Sequence, residues 1–165
     1  MTKQPAISVL LYFRNQAAEA ERLLDEVLKQ AEPDIEWIII DDASEDQTVA
    51  AIDSILQAYD NDRVYFFQNE ASKGRAQSFN DAIQHINSNC IWTTHQLQPP
   101  KQKSLLKSAE SFLQSGKPIA IHSGVDIPTT AQDWLQSIKE GVHIPDDCFL
   151  LRVDGSLQNR YFNPF

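Results

Sequence analysis

The stretch WIIIDDASEDQT, Trp37 to Thr48, ends an apolar run in two adjacent carboxylates, Asp41 and Asp42. Side-by-side carboxylates can hold a metal ion, accept hydrogen bonds from a ligand, or help start a helix. A structural role covers part of the stretch. Ser44-Glu45-Asp46-Gln47 has the S-x-x-Q form of a capping box, with Ser44 as the cap and Glu45 and Asp46 in the first turn, against the positive end of the helix dipole. That reading does not account for two acids ahead of the cap, so Asp42 stands as a candidate ligand-binding group.

Composition narrows what such a ligand is. The 165 residues carry a formal net charge of −9 and 42% hydrophobic residues. Tracking a phosphate backbone needs clustered Lys and Arg, so nucleic acid is not an expected partner. No apolar stretch reaches the length of a bilayer span. The opening MTKQPAISVLLYFRN has one Lys and a short apolar run without a small-residue cleavage site, which reads as a strand and not a signal peptide. Cys90 and Cys148 lack metal-site spacing and are too few for a disulfide framework, so two thiols in a reducing cytosol are expected, and with them a cytoplasmic protein.

The elements that must position the acids alternate along the chain. Ala6–Phe13, Glu36–Ile40, Val64–Phe67, Cys90–Thr93 and Pro118–His122 read as strands, the first as a strand covered on both faces. Between them lie helical stripes: Leu23, Leu24, Val27 and Leu28; Val49, Ile52, Ile55, Leu56 and Tyr59; Ala76, Phe79, Ile83 and Ile86; Leu105, Leu106, Ala109, Phe112 and Leu113. Pro33 stops the first helix. Pro99 and Pro100 suit the opening of the fourth. Beyond Gly124 the pattern weakens to a helix over Thr130–Glu140 and a strand over Cys148–Val153. Repeated strand–helix–strand units predict an α/β fold with a mostly parallel sheet and helices on both faces. In such sheets ligands bind beyond the carboxyl ends of the strands, which is where Asp41 and Asp42 fall.

Four stretches in order, ISVLLYFRN, PDIEWIIIDDASEDQT, DRVYFFQNEASKGRAQSFNDAI and CIWTT, resemble the family 2 glycosyltransferases. The resemblance covers residues 6–122 of one domain spanning 1–165. It implies the GT-A (Rossmann-like) fold of nucleotide-diphospho-sugar transferases and a UDP-type nucleotide or nucleotide sugar as ligand. It also implies that Asp42 accepts a hydrogen bond from the base, typically N3–H of uracil. A carboxylate is acceptor-only and uracil N3 is a donor, whereas cytosine has no proton there. The same resemblance places Asp41 and Asn15 at the nucleotide site and puts Lys73 to Arg75 near base and ribose, with solvated positions at a helix start as the plainer reading of Lys73 and Arg75. Tyr12 stands where the family has a small residue or Pro beside the uracil.

The sequence departs from the family where its Asp-x-Asp metal motif is due. The positions fall around Thr94–Gln98, within CIWTTHQLQPPKQKS, and no Asp or Glu stands between Asp81 and Glu110. His95 is the one metal-ligand type there, and Mg²⁺ prefers oxygen ligands. No metal cofactor is therefore expected. Lys101, Lys103 and Arg14 are the cations available to a diphosphate. The family's acceptor-binding half and its late carboxylate base are also expected to be missing, with 123–165 a short degenerate remnant. Asp126, Asp133, Asp146 and Asp147 are base candidates by default. The closing RYFNPF offers three aromatic rings to the core or to a protein partner or second copy.

Three functions follow: a nucleotide-binding, catalytically degenerate domain; an active metal-independent inverting transferase; or an interaction domain without nucleotide affinity. A receiver-like signalling domain is disfavoured, because its acid positions hold Arg14-Asn15 and Gln68-Asn69.

Overall fold

The computed structural model describes residues 4–29, 31–59, 61–93, 102–116, 119–121 and 149–152. Their elements are β1 (Ile7–Phe13), α1 (Ala17–Leu28), β2 (Ile35–Asp41), α2 (Thr48–Ala58), β3 (Val64–Gln68), α3 (Arg75–Ile83), β4 (Cys90–Thr93), α4 (Gln102–Gln114), β5 (Ile119–Ile121) and β6 (Phe149–Arg152). The sheet runs β3-β2-β1-β4-β6-β5. The first four of these strands are parallel, and β6 pairs antiparallel with both β4 and β5. The expected strands and the α/β class are present, each strand boundary within a residue or so of the apolar run that signals it.

Burial explains why the apolar runs differ. β1 and β2 are inner strands with helices on both faces, and every residue of β2 is buried. On one face Leu11, Phe13, Trp37 and Ile39 pack with Leu23, Leu24 and Val27 of α1, Ile52 of α2 and Leu105, Ala109 and Phe112 of α4. On the other, Leu10, Ile38, Ile40 and Ile91 meet Phe79, Ala82 and Ile83 of α3. β3 ends the sheet order, and its positions are partly buried or exposed, none of them fully buried. Truncating a fully buried ring such as Trp37 to Ala would cost about 3–5 kcal/mol.

Polar ties fix the strands lengthwise. At the amino end of β2 the buried Glu36 accepts hydrogen bonds from Ser8 and from the backbone and side chain of Asn87, joining β1, β2 and the α3–β4 turn. Gln102, at the start of α4, donates to the Val27 carbonyl at 3.0 Å and accepts from the Glu32 amide at 2.9 Å. It thereby adds a side-chain donor to a backbone carbonyl in the last turn of α1, where the regular helix ladder runs out. The expected helix over Thr130–Glu140, Pro99–Pro100, Cys148 and the RYFNPF segment lie outside the described residues. Cys90 is buried and forms no disulfide among the described residues.

Candidate functional site

The parallel strands β1, β2 and β3 end side by side, and the site is built on the three loops that leave them. Two backbone bonds lock these ends in register: the Asp42 amide donates to the Phe13 carbonyl at 3.0 Å, and the Asn69 amide donates to the Asp41 carbonyl at 2.9 Å. The chain turns sharply here. Asn15 and Ala43 both adopt left-handed backbone, at φ 52° and 55°. Asn tolerates that region, whereas Ala carries strain in it.

Asp41 and Asp42 do not form a pair. Successive side chains of a strand project to opposite faces. Asp41 sits in register with Phe13, and its Oδ2 accepts from the Ser44 amide at 3.1 Å while the buried Oδ1 has no hydrogen-bond partner among the described residues. Asp42 turns to the α3 side and is fully buried. Its Oδ2 accepts from the Tyr12 hydroxyl at 2.8 Å, the Ser72 hydroxyl at 2.8 Å and the Gly74 amide at 3.0 Å. Its Oδ1 accepts from the Asn69 side chain at 2.7 Å and the Lys73 amide at 2.9 Å, with the Ser78 hydroxyl at 3.2 Å. Ser78 has one proton and a nearer acceptor, the Gly74 carbonyl at 2.9 Å. Five donors therefore converge on a group with about four lone-pair sites.

This shell sets the charge. Burial works against ionisation of Asp42, but the hydrogen bonds from the Lys73 amide, Ser72, Asn69 and Tyr12 outweigh it and hold the carboxyl well below the usual range. Tyr12 moves the other way: burial, then its hydrogen bond to the Asp42 carboxylate, push the phenol well above its ordinary value.

The remaining expected residues have distinct places. Asn15 bridges two loops, its amide donating to Ser44 Oγ at 2.9 Å and its Oδ1 accepting from the Glu45 amide at 2.8 Å. Lys73 reaches Asp42 through its backbone only. Its ammonium pairs with Asp81 at 2.8 Å, which raises the Lys73 pKa. Arg75, the first residue of α3, lays its guanidinium over the Phe79 ring at 5.3 Å, and that ring meets Tyr12 edge-on with centroids 6.2 Å apart. The capping box is corrected. Ser44 does not cap α2: Gln47 holds the N-cap position, and the Ser44 oxygen instead accepts from the Asn15 amide. The helix begins at Thr48, and Asp46 Oδ1 accepts from the Thr48 amide at 2.9 Å.

Sequence reasoning did not single out Asn69, Ser72, Gly74 and Ser78. Gly74 carried a signal: it precedes a helix start, and its φ of 78° with ψ of 159° is backbone that glycine alone adopts freely. The loops enclose an open groove of about 590 Å³ beside Asp42, with Arg14, Ser44, Glu45, Asn69, Glu70 and Ser72 among its walls. One cation and two carboxylates among these charges suit hydroxyl and amide groups better than a phosphate.

The family model described as "Glycosyl transferase family 2" matches residues 8–153. The chain belongs to glycosyl transferase family 2. Among solved structures it resembles the mannosyltransferase PcManGT of Pyrobaculum calidifontis, in complex with GDP-Man and Mn²⁺, at 18% identity and a TM-score of 0.69, covering 92% of this chain and 45% of that one. It also resembles residues 1–349 of TarS from S. aureus, in complex with UDP, at 18% identity and a TM-score of 0.57, covering 74% of this chain and 38% of that one. TarS in complex with UDP-GlcNAc gives 0.58. The chain thus spans less than half the length of these structures, and the likeness establishes the GT-A fold. No curated protein sequence matches it.

A divalent cation such as the Mn²⁺ held by PcManGT meets a poor donor set in this chain. Thr94–Gln98 lie outside the described residues, but their side chains include one imidazole and no carboxylate. A hard divalent cation prefers charged oxygen ligands. Among the described residues no group of three or more His, Cys, Asp or Glu side chains is placed to hold a metal ion. No helix among them is long and apolar enough to cross a membrane.

Proposed function

We propose that this family 2 domain binds a uridine nucleotide or nucleotide sugar through its base, at the groove beside Asp42, and does not carry out metal-assisted sugar transfer. The observation that carries the reading is the buried, ionised Asp42 at the carboxyl ends of three parallel strands, with Asn69 and Ser72 joining it to the groove wall. An acceptor-only group selects a base with a ring N–H, so uracil fits and cytosine does not. The groove's Glu45 and Glu70 suit ribose hydroxyls. Its single Arg14 gives a diphosphate little compensation, so most of the affinity resides in the nucleoside.

A second reading replaces uracil with guanine, whose N1–H is also a donor. It is favoured by the GDP-Man held by PcManGT, the structure that covers most of this chain among those named above. Thermal unfolding at millimolar nucleotide separates the readings, because a ligand that binds only the folded state raises the melting temperature. Uridine and UDP raise it and cytidine does not. A rise with guanosine alone selects the second reading. No rise with any nucleotide leaves an interaction domain.

A further inference from the structure

We infer that the Tyr12 hydroxyl is a built-in occupant of the base-reading position, which a bound base must displace. This rests on the reading of Asp42 as base acceptor and goes beyond it by assigning a competitor. Asp42 Oδ2 already accepts from Tyr12, Ser72 and Gly74, and Oδ1 from Asn69 and Lys73. About four lone-pair sites cannot take a sixth donor, so a base N–H enters only as one of the five leaves.

The five are not equally free to leave. The Lys73 and Gly74 donors are backbone amides, fixed by the loop that leads into α3. Asn69 is held a second time, by its bond to Ser78 Oγ at 2.8 Å. Tyr12 and Ser72 are the side-chain donors whose departure needs a rotation and no backbone movement. Ser72 is exposed and forms part of the groove wall, where its hydroxyl stays useful to a ligand. Tyr12 is half-buried at the end of β1, and its aromatic neighbour is the Phe79 ring, nearly perpendicular to it. Its phenol O–H delivers to Oδ2 what a ring N–H would deliver: one proton along one lone pair, carried by a flat ring. Rotating the phenol away releases that lone pair and opens the space the ring fills.

The consequence is a site whose affinity is held down by its own side chain. Binding uridine exchanges one charge-assisted hydrogen bond for another and leaves the phenol to water, so the base gains little net contact energy. Removing the hydroxyl removes the competitor and leaves four donors, which keep the carboxylate satisfied, and a base N–H then enters as the fifth without displacing any of them.

Calorimetry with uridine and cytidine on the wild type, Tyr12→Phe and Ser72→Ala is the test. Tyr12→Phe is expected to bind uridine about tenfold more tightly than the wild type. Cytidine affinity should not change. Equal uridine affinity in wild type and Tyr12→Phe, or a gain in Ser72→Ala alone, overturns the inference while the base site stands. No uridine binding by any of the three overturns the base site itself, and the inference with it. A second readout needs no variant in the sample. With ¹³C-labelled tyrosine, the resonance absent from Tyr12→Phe should move toward that of a free phenol as uridine is added to the wild type. If it stays put while uridine binds, Tyr12 is not displaced.

Discussion

Asp42 answers to two demands that pull against each other. It is wholly inside the protein, yet it must stay charged, and five donors make that possible. Asp42→Asn therefore reports on folding before it reports on any ligand. The amide loses the charge and turns an N–H₂ toward backbone donors, at Lys73 or at Gly74. The expected loss is about 3 kcal/mol in urea unfolding at neutral pH, because a buried polar shell stripped of its partner is costly. The pH dependence has a definite sign. The folded pKa is depressed, so the stabilisation is full above the unfolded value of about 4 and is lost as pH falls toward the folded value. The gap between wild type and Asp42→Asn should narrow from pH 7 to pH 3. A gap that is constant with pH would mean the carboxylate charge contributes nothing. Ala43 supplies a milder case. Its left-handed φ of 55° strains an L-residue, and Ala43→Gly should stabilise by about 0.5 kcal/mol, the relief being partly offset by glycine's unfolded-state entropy.

At the scale of elements, two junctions carry more than their sequences suggest. The loop into α3 aims two amides at Asp42 only because Gly74 adopts φ 78°. A Cβ there meets nothing within 4 Å, so Gly74→Ala would act through backbone strain alone, at about 1–3 kcal/mol. The α1 end depends on Gln102, and Gln102→Ala should cost about 1–2 kcal/mol in the same unfolding experiment by leaving the Val27 carbonyl and the Glu32 amide without this partner. Neither tie is visible in the chain's periodicity, because each is made between residues far apart in sequence. The strands are the opposite case. β1 and β2 are legible as apolar runs because helices cover both of their faces. The S-x-x-Q pattern misleads for a physical reason: it fixes local spacing, whereas the Ser44 oxygen is claimed by the Asn15 amide, 29 residues away.

For the whole molecule, alternating strands and helices point to the parallel sheet, and the four motif-bearing stretches point to the family that the comparison establishes. The site is legible in outline only. Asp42 stands out as an acid that no cap explains, but Asn69, Ser72 and Ser78 are ordinary polar residues until the fold brings them onto one carboxylate. The central claim is that this carboxylate reads a base N–H. The most direct measurement is a ¹H–¹⁵N NMR titration of the wild type with uridine and, separately, cytidine. The Lys73 and Gly74 amides donate to Asp42 and sense any new donor on it. The account predicts saturable shifts of both amides with uridine and none with cytidine. Unmoved amides at millimolar uridine, or equal shifts with the two nucleosides, would contradict it.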